Sequence, residues 1–296
     1  MPVTFTEPRT REDLALSSRT VFIGLTRDCA HSLPRILQSI SEFGRSLDDW
    51  GYVFLENGSE DETVAILDEF HRLHDKGIVE TLPDLDSRIP VRTERLAHLR
   101  NRALEHVRAD ERLADFDYAI IMDMDGVNSL FPADRLRAHM SDWPEDRAAV
   151  FANQTESYYD VWAYRHPTHS PDDCWERVEK RPAGMSKAQA YETFVAARKK
   201  PWPRDAGMVE VESAFGGLAL YRLPALRDCS YLGLDEDGNP RCEHVEFHRQ
   251  IRSKGYRLFI DPAMINGTGA EEHKAPKGIR YLRRLLHRVG RLAGRR

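Results

Sequence analysis

From Thr20 onward the chain alternates short apolar runs with stretches in which apolar residues recur every three and four positions. This alternation constrains the fold more than any other feature. Short, wholly apolar runs fit strands covered on both faces, and a period near 3.6 fits helices laid against them. "TVFIGL" at 20–25, "YVFLE" at 52–56, "GIVETL" at 77–82 and "DYAIIM" at 117–122 read as strands. Between the first two, Leu33, Ile36, Leu37, Ile40, Phe43 and Leu47 mark one helical face. Ser59 and Glu62 have the spacing of a capping box that starts a helix bearing Val64, Leu67 and Phe70. A further helix covers 93–108, with Leu96, Leu99, Ala103 and Val107 inward. Beyond a stretch at 153–210 rich in Tyr, Trp, Pro and His, "GGLALYR" reads as a strand, "CEHVEFHRQIRSKG" as a helix ended by Gly255, and "YRLFIDP" as a last strand. The expected class is α/β, a mostly parallel Rossmann-type sheet flanked by helices. Residues 1–19 form an N-terminal extension, 20–270 the main domain with 153–210 as a loop-rich insertion on the ligand side, and 271–296 a tail.

A length of 296 residues with 41% hydrophobic content is enough for one large core. No run of eighteen apolar residues occurs and the first twenty residues are polar, so neither a membrane span nor a secretory signal is expected, and a cytoplasmic location is. The cysteines, Cys29, Cys174, Cys229 and Cys242, lack metal or disulfide spacing and read as buried thiols. The formal charge of −5 is unevenly shared: residues 277–296 carry eight Lys/Arg and no acid, which leaves the rest near −13. An acidic body argues against nucleic acid as a partner, because a basic face supplies most of that affinity. In the tail Ile279, Leu282, Leu285, Leu286, Val289 and Leu292 recur at helical spacing among arginines. Such a basic amphipathic segment suits an anionic membrane surface, and equally a helix packed on the acidic body or on a partner.

The motif that carries chemistry is "AIIMDMDGVNSL", residues 119–130. Asp123 and Asp125 leave the end of an apolar strand, where open α/β sheets bind ligands. One reading is an aspartyl nucleophile with a neighbouring acid, as in haloacid-dehalogenase-type phosphatases; a nucleotidyltransferase would use the same pair to hold a cation. The phosphatase pattern places its strand first and needs a second acidic pair after another strand. Here three strands come earlier, and Asp172, Asp173, Asp235 and Asp237 do not follow apolar runs. A bland reading has the two aspartates capping a helix at 132–140, and a catalytically silent sugar-binding protein would need neither.

Further segments favour a different chemistry. "FLENGSEDET" resembles the strand-end turn of GT-A glycosyltransferases, and "RLAHLRNRALEHV" resembles a helix of the same enzymes. With "YDVWAYR", "FGGLALYR" and "CEHVEFHRQIRSKGYRLFIDPAMI" in the same order, the chain from about Val21 to Asn266 resembles the cryptococcal capsule α-1,3-mannosyltransferase family. The resemblance implies a GT-A domain that moves a sugar from a nucleotide-sugar to a glycan or lipid-linked acceptor with retention of configuration. GDP-mannose is the implied donor, with UDP-sugars as the alternative. Implied nucleotide-sugar contacts are Thr26, Arg27, Glu56, Asn57, Arg95, Arg100 and Asp123. Asp123 and Asp125 would hold Mn²⁺ or Mg²⁺, with His273 in "NGTGAEEHK" completing the site. Hard cations of this kind take oxygen ligands and keep positions open for phosphate. Glu243 and Asp160 are the implied catalytic carboxylates. Trp162, Gly216, Gly217 and His244 are placed on the acceptor side, the glycines because a missing side chain lets a sugar approach the backbone. His244 stands where related enzymes keep an acid after the glutamate, so the identity of any general base stays open. Asp160, Trp162 and Tyr164 are expected to form a carbohydrate-binding wall.

Overall fold

The structure is a computed structural model and describes residues 16–269, with side chains from Ser18 onward. His273 and the basic segment 277–296 lie outside the described residues. In chain order the first half contains β1 (Leu16–Thr26), α1 (Leu33–Gly44), β2 (Leu47–Glu56), α2 (Thr63–His74), β3 (Gly77–Thr81), α3 (Leu85–Arg88), α4 (Arg92–Ala109), α5 (Glu111–Ala114) and β4 (Tyr118–Asp123). The second half adds α6 (Ala133–Ser141), β5 (Arg147–Gln154), α7 (Cys174–Glu179), α8 (Lys187–Phe194), β6 (Val209–Val211), β7 (Leu218–Arg222), α9 (Glu243–Ser253) and β8 (Arg257–Gly267). The described strands form one mixed sheet in the order β3-β2-β1-β4-β7-β5-β8-β6.

Successive side chains of a strand point to opposite faces, so each central strand feeds two cores. Val21, Ile23, Val53, Leu55, Ala119 and Ile121 face α4 and α9, where Leu99, Ala103, Val107, Phe247 and Ile251 meet them. Phe22, Tyr52, Phe54, Ile120 and Met122 face the other way, onto Leu33, Ile36, Leu37 and Ile40 of α1 and Leu136 of α6. Helix α1 ends at Gly44, and Leu47 belongs to β2, one turn sooner than its spacing implied.

The structure adds to the mostly parallel sequence reading in two places and corrects it in a third. β4 pairs with β7 antiparallel, as do β5 with β7 and β6 with β8, so the parallel part is β3-β2-β1-β4 together with β5-β8. Strands β5 and β6 were not expected. β5 is buried along its whole length, and its "AAVFA" centre is too small and too short to stand out by periodicity. The capping box at Ser59 and Glu62 does not form: α2 begins at Thr63, whose N–H and hydroxyl both bond Asp61, while Ser59 Oγ accepts from the Asp28 N–H. A capping box does form at Ser186 and Gln189, at the start of α8.

What positions the site is register. Thr26 pairs with Glu56 across β1 and β2, and Leu25 with Asp123 across β1 and β4, so three strands end at one level. β7 runs the other way, so its beginning lies beside the end of β4. There the Asp123 N–H donates to the Gly217 carbonyl at 2.9 Å.

Candidate active site

A cavity of about 520 Å³ opens beyond these strand ends. Leu25 and Thr26 line it from β1, Arg27 from just beyond its end, and Asn57 from the turn after β2. Arg92, Arg95, Leu96, Leu99 and Arg100 reach it from the first half of α4, and Asp123, Met124 and Asp125 from the end of β4. Tyr159, Asp160, Trp162 and Phe215 form a third wall, and the start of α9 closes it with Cys242, Glu243 and His244. Arginines and carboxylates thus line the same cavity.

Arg100 links the two. Its Nε donates to Glu243 Oε1 at 3.0 Å, and its Nη2 lies 3.8 Å from Asp123 Oδ1. The guanidinium lies over the rings of Phe215 and Tyr231, at 5.0 and 5.7 Å. Burial works against its charge, but Glu243, Tyr231 and Asp123 outweigh that and hold it more firmly protonated than in water. Asp123 also accepts from Tyr159 Oη at 2.6 Å. Asp125 Oδ1 accepts from the Val127 N–H, the short turn that swings the chain past Gly126. Neither aspartate caps the helix after the motif: α6 starts behind Pro132 with no side-chain cap.

Asp160 is partly buried, and its carboxyl is pushed up to about 7 by burial and by the negative charges of Asp123 and Glu243, against the pull of Arg100. His244 is 3% exposed and stacks on Phe215, ring centroids 4.2 Å apart. Burial, Arg100 and His248 keep its imidazole neutral, and neither ring nitrogen has a hydrogen-bond partner in the protein.

Most of the residues implied by the sequence meet here. Thr26, Arg27, Asn57, Arg95, Arg100, Asp123, Asp125, Asp160, Trp162, Glu243 and His244 all line the cavity. Glu56 does not. It is fully buried, and its carboxylate turns back to accept from the Ser59 N–H and so closes the turn. Gly216 and Gly217 do not line it either. A Cβ on Gly216 would stand 2.6 Å from the Ala152 carbonyl oxygen, and one on Gly217 would stand 2.8 Å from Val127 Cγ1 and 3.0 Å from Tyr159 Oη. The space their missing side chains leave is filled by the protein itself. Tyr164 is buried behind the wall, where its hydroxyl accepts from Trp202 Nε1, and Trp162 is tied to Asp173. Arg92, Tyr159 and Phe215 were missed. Arg92 and Tyr159 sit three residues and one residue from positions that were found, but without a fold nothing marks them as facing a cavity. The four cysteines are free and buried, as expected.

The donor set fits a hard divalent cation. Asp123 and Asp125 offer only oxygen, which suits a hard cation that keeps positions open for phosphate and water. Asp172, Asp173, Asp235 and Asp237, which a phosphatase would need as a second acidic pair, are engaged in ion pairs, a helix cap and a turn.

A cavity beyond the carboxyl ends of a Rossmann-like sheet, with two aspartates in its lining, lies where open α/β sheets bind ligands and is consistent with the GT-A fold. The sequence matches the model of Glycosyl transferase family 2 over residues 23–202, and the chain belongs to that family. That membership favours the glycosyltransferase reading over the phosphatase and nucleotidyltransferase ones, and the chain spans 57% of the length of the first solved structure it matches. No curated protein matches it. Similar solved structures include the mannosyltransferase PcManGT from Pyrobaculum calidifontis in complex with GDP-Man and Mn²⁺, at 18% identity and a TM-score of 0.48, over 85% of this chain and 57% of that one. TarS 1–349 of S. aureus in complex with UDP-GlcNAc is 13% identical, with a TM-score of 0.43, over 82% and 55%. Glucosyl-3-phosphoglycerate synthase from Mycobacterium tuberculosis in complex with UDP is 12% identical, with a TM-score of 0.39, over 89% and 76%.

Proposed function

We propose that the cavity binds a nucleotide-sugar with Mn²⁺ or Mg²⁺ and that the chain transfers mannose from GDP-mannose, with retention, to a glycan or lipid-linked acceptor. The observation that carries this reading is the convergence of Asp123, Asp125, Arg27, Arg95, Arg100 and Asn57 from four separate segments on one cavity. Thr26, Arg27, Asn57 and Arg95 contact the nucleotide. Asp123 and Asp125 hold the cation, which when bound neutralises charge on the leaving diphosphate. His273 was expected to complete that set and lies outside the described residues. The acceptor oxygen bonds to the anomeric carbon as its bond to phosphate breaks, and in the retaining reaction the departing phosphate oxygen takes the acceptor proton. Glu243, fixed by Arg100, and Asp160 then place negative charge beside the cationic anomeric centre. Trp162 and His244 line the acceptor side.

A second reading, inversion, is favoured by one observation. The raised affinity of Asp160 for a proton suits it to take the acceptor proton itself near neutral pH. Proton NMR of the first product formed from an α-linked donor separates the two: an α-glycoside supports retention, and a β-glycoside overturns it. Asp125→Asn is expected to lower metal-dependent transfer roughly a hundredfold or more while leaving the melting temperature unchanged. Activity equal to wild type would sink the metal assignment.

No helix among the described residues is long and apolar enough to cross a membrane. Peripheral attachment through residues 277–296 is proposed from their basic amphipathic pattern, on the cytoplasmic side. Co-sedimentation with anionic liposomes, with and without that segment, tests this. Equal binding by both forms would remove it.

A further inference from the structure

We infer that Tyr159 is a positioning residue for Asp123, its hydroxyl fixing the carboxylate in the orientation in which it meets the cation or the ribose. This rests on the reading of the cavity given above.

The phenol donates to Asp123 Oδ2 at 2.6 Å, while Arg100 Nη2 stands 3.8 Å from Oδ1, so the carboxylate is held from both sides. A terminal carboxylate torsion is otherwise broad and nearly free, and one hydrogen bond together with one ion-pair contact restricts that freedom before any ligand arrives.

The backbone of Asp123 is anchored as firmly. Its N–H donates to the Gly217 carbonyl, and its own carbonyl accepts from Asn128 Nδ2 at 2.7 Å. Asn266 Nδ2 donates to Asn128 Oδ1 and to the Gly216 carbonyl, and Gln154 Nε2 donates to that same carbonyl and to Asn266 Oδ1. Gly217, at φ +80°, then has a specific use, since a Cβ there would press on the Tyr159 hydroxyl at 3.0 Å. Gly217, which looked like part of an opening for a sugar, leaves the space in which this hydroxyl reaches Asp123.

Partners that orient a metal-binding side chain are typically worth ten- to a hundredfold in metal affinity. The test is Mn²⁺ affinity, followed by electron paramagnetic resonance with a nucleoside diphosphate present, for wild type, Tyr159→Phe and Tyr159→Leu. Both variants are expected to bind Mn²⁺ about tenfold more weakly, with the Tyr159→Phe melting temperature within a few degrees of wild type and kcat falling more than the donor KM rises. Wild-type Mn²⁺ affinity in Tyr159→Phe overturns the inference and leaves the reading of the cavity standing. Loss of affinity in Tyr159→Leu alone also overturns it, because ring packing and not the hydroxyl would then be the cause. Absence of Mn²⁺ binding by the wild type would overturn the cavity reading and the inference with it.

Discussion

Asp160 shows how far a single residue's chemistry depends on its surroundings. The resemblance through "YDVWAYR" singled this aspartate out, yet nothing in that segment tells that burial and two neighbouring carboxylates raise it to about 7. Because the folded protein holds that proton more tightly than the unfolded chain, the stability linked to it is fully present below the ordinary aspartate range and is lost as pH rises toward 7. Asp160→Asn is therefore expected to raise the stability of the ligand-free protein at pH 8 by on the order of 2 kcal/mol, and to change nothing at pH 4. Denaturant melts at the two pH values check this; an equal effect at both would show that the carboxyl is not strained by charge. Asp123 and Asp125 were legible in sequence because two acids ending an apolar strand form a pattern. Tyr159 and Arg92 were not, because what matters about them is the neighbour they face.

At the level of elements, the turn into β7 decides the geometry of the end of β4. Gly216 and Gly217 both have positive φ, and each sits where a Cβ would meet packed protein. Gly216→Ala combines a left-handed backbone with a 2.6 Å approach to a carbonyl oxygen of β5 that cannot swing aside. The expected cost is roughly 2–4 kcal/mol, read as a lowered denaturation midpoint with an unchanged slope. A neutral result would mean that the turn relaxes and that β7 does not need this conformation. Sequence periodicity found β7 as a strand but gave it no direction. Strand direction follows from which edge is left open when the chain returns, and β7 fills the gap between β4 and β5 by running against both. The Ser59 and Glu62 spacing failed for a related reason. Asp61 and Asp28 hold that turn through contacts with the loop after β1, which sequence-local capping rules do not include.

For the molecule as a whole, the cavity brings together charges of both signs, arginines from just after β1 and from α4 and carboxylates from β4, α9 and the 159–160 segment. A diphosphate placed alone would meet the acids, and a cation placed alone would meet Arg100. Each ligand relieves the other's repulsion, so Mn²⁺ and nucleoside diphosphate together are expected to raise the melting temperature by more than the sum of their separate effects. A ligand at a hundredfold its Kd stabilises by about 2.7 kcal/mol, well within reach of a thermal-shift measurement. Strictly additive shifts would contradict linked binding. The sequence by itself determined the layered α/β class, the four strands up to Asp123, the placement of two aspartates at a strand end and the helix that brings Arg100, because these follow from short-range periodicity and strand-end chemistry. Only the tertiary structure decided that Glu56 turns inward, that Gly217 leaves room for Tyr159, that β7 is reversed, and that Arg100 reaches Glu243 across 143 residues of chain while lying beside Asp123. Those are contacts between segments far apart in sequence, and the physical terms that set them, burial, mutual charge and steric room, have no value until the segments meet.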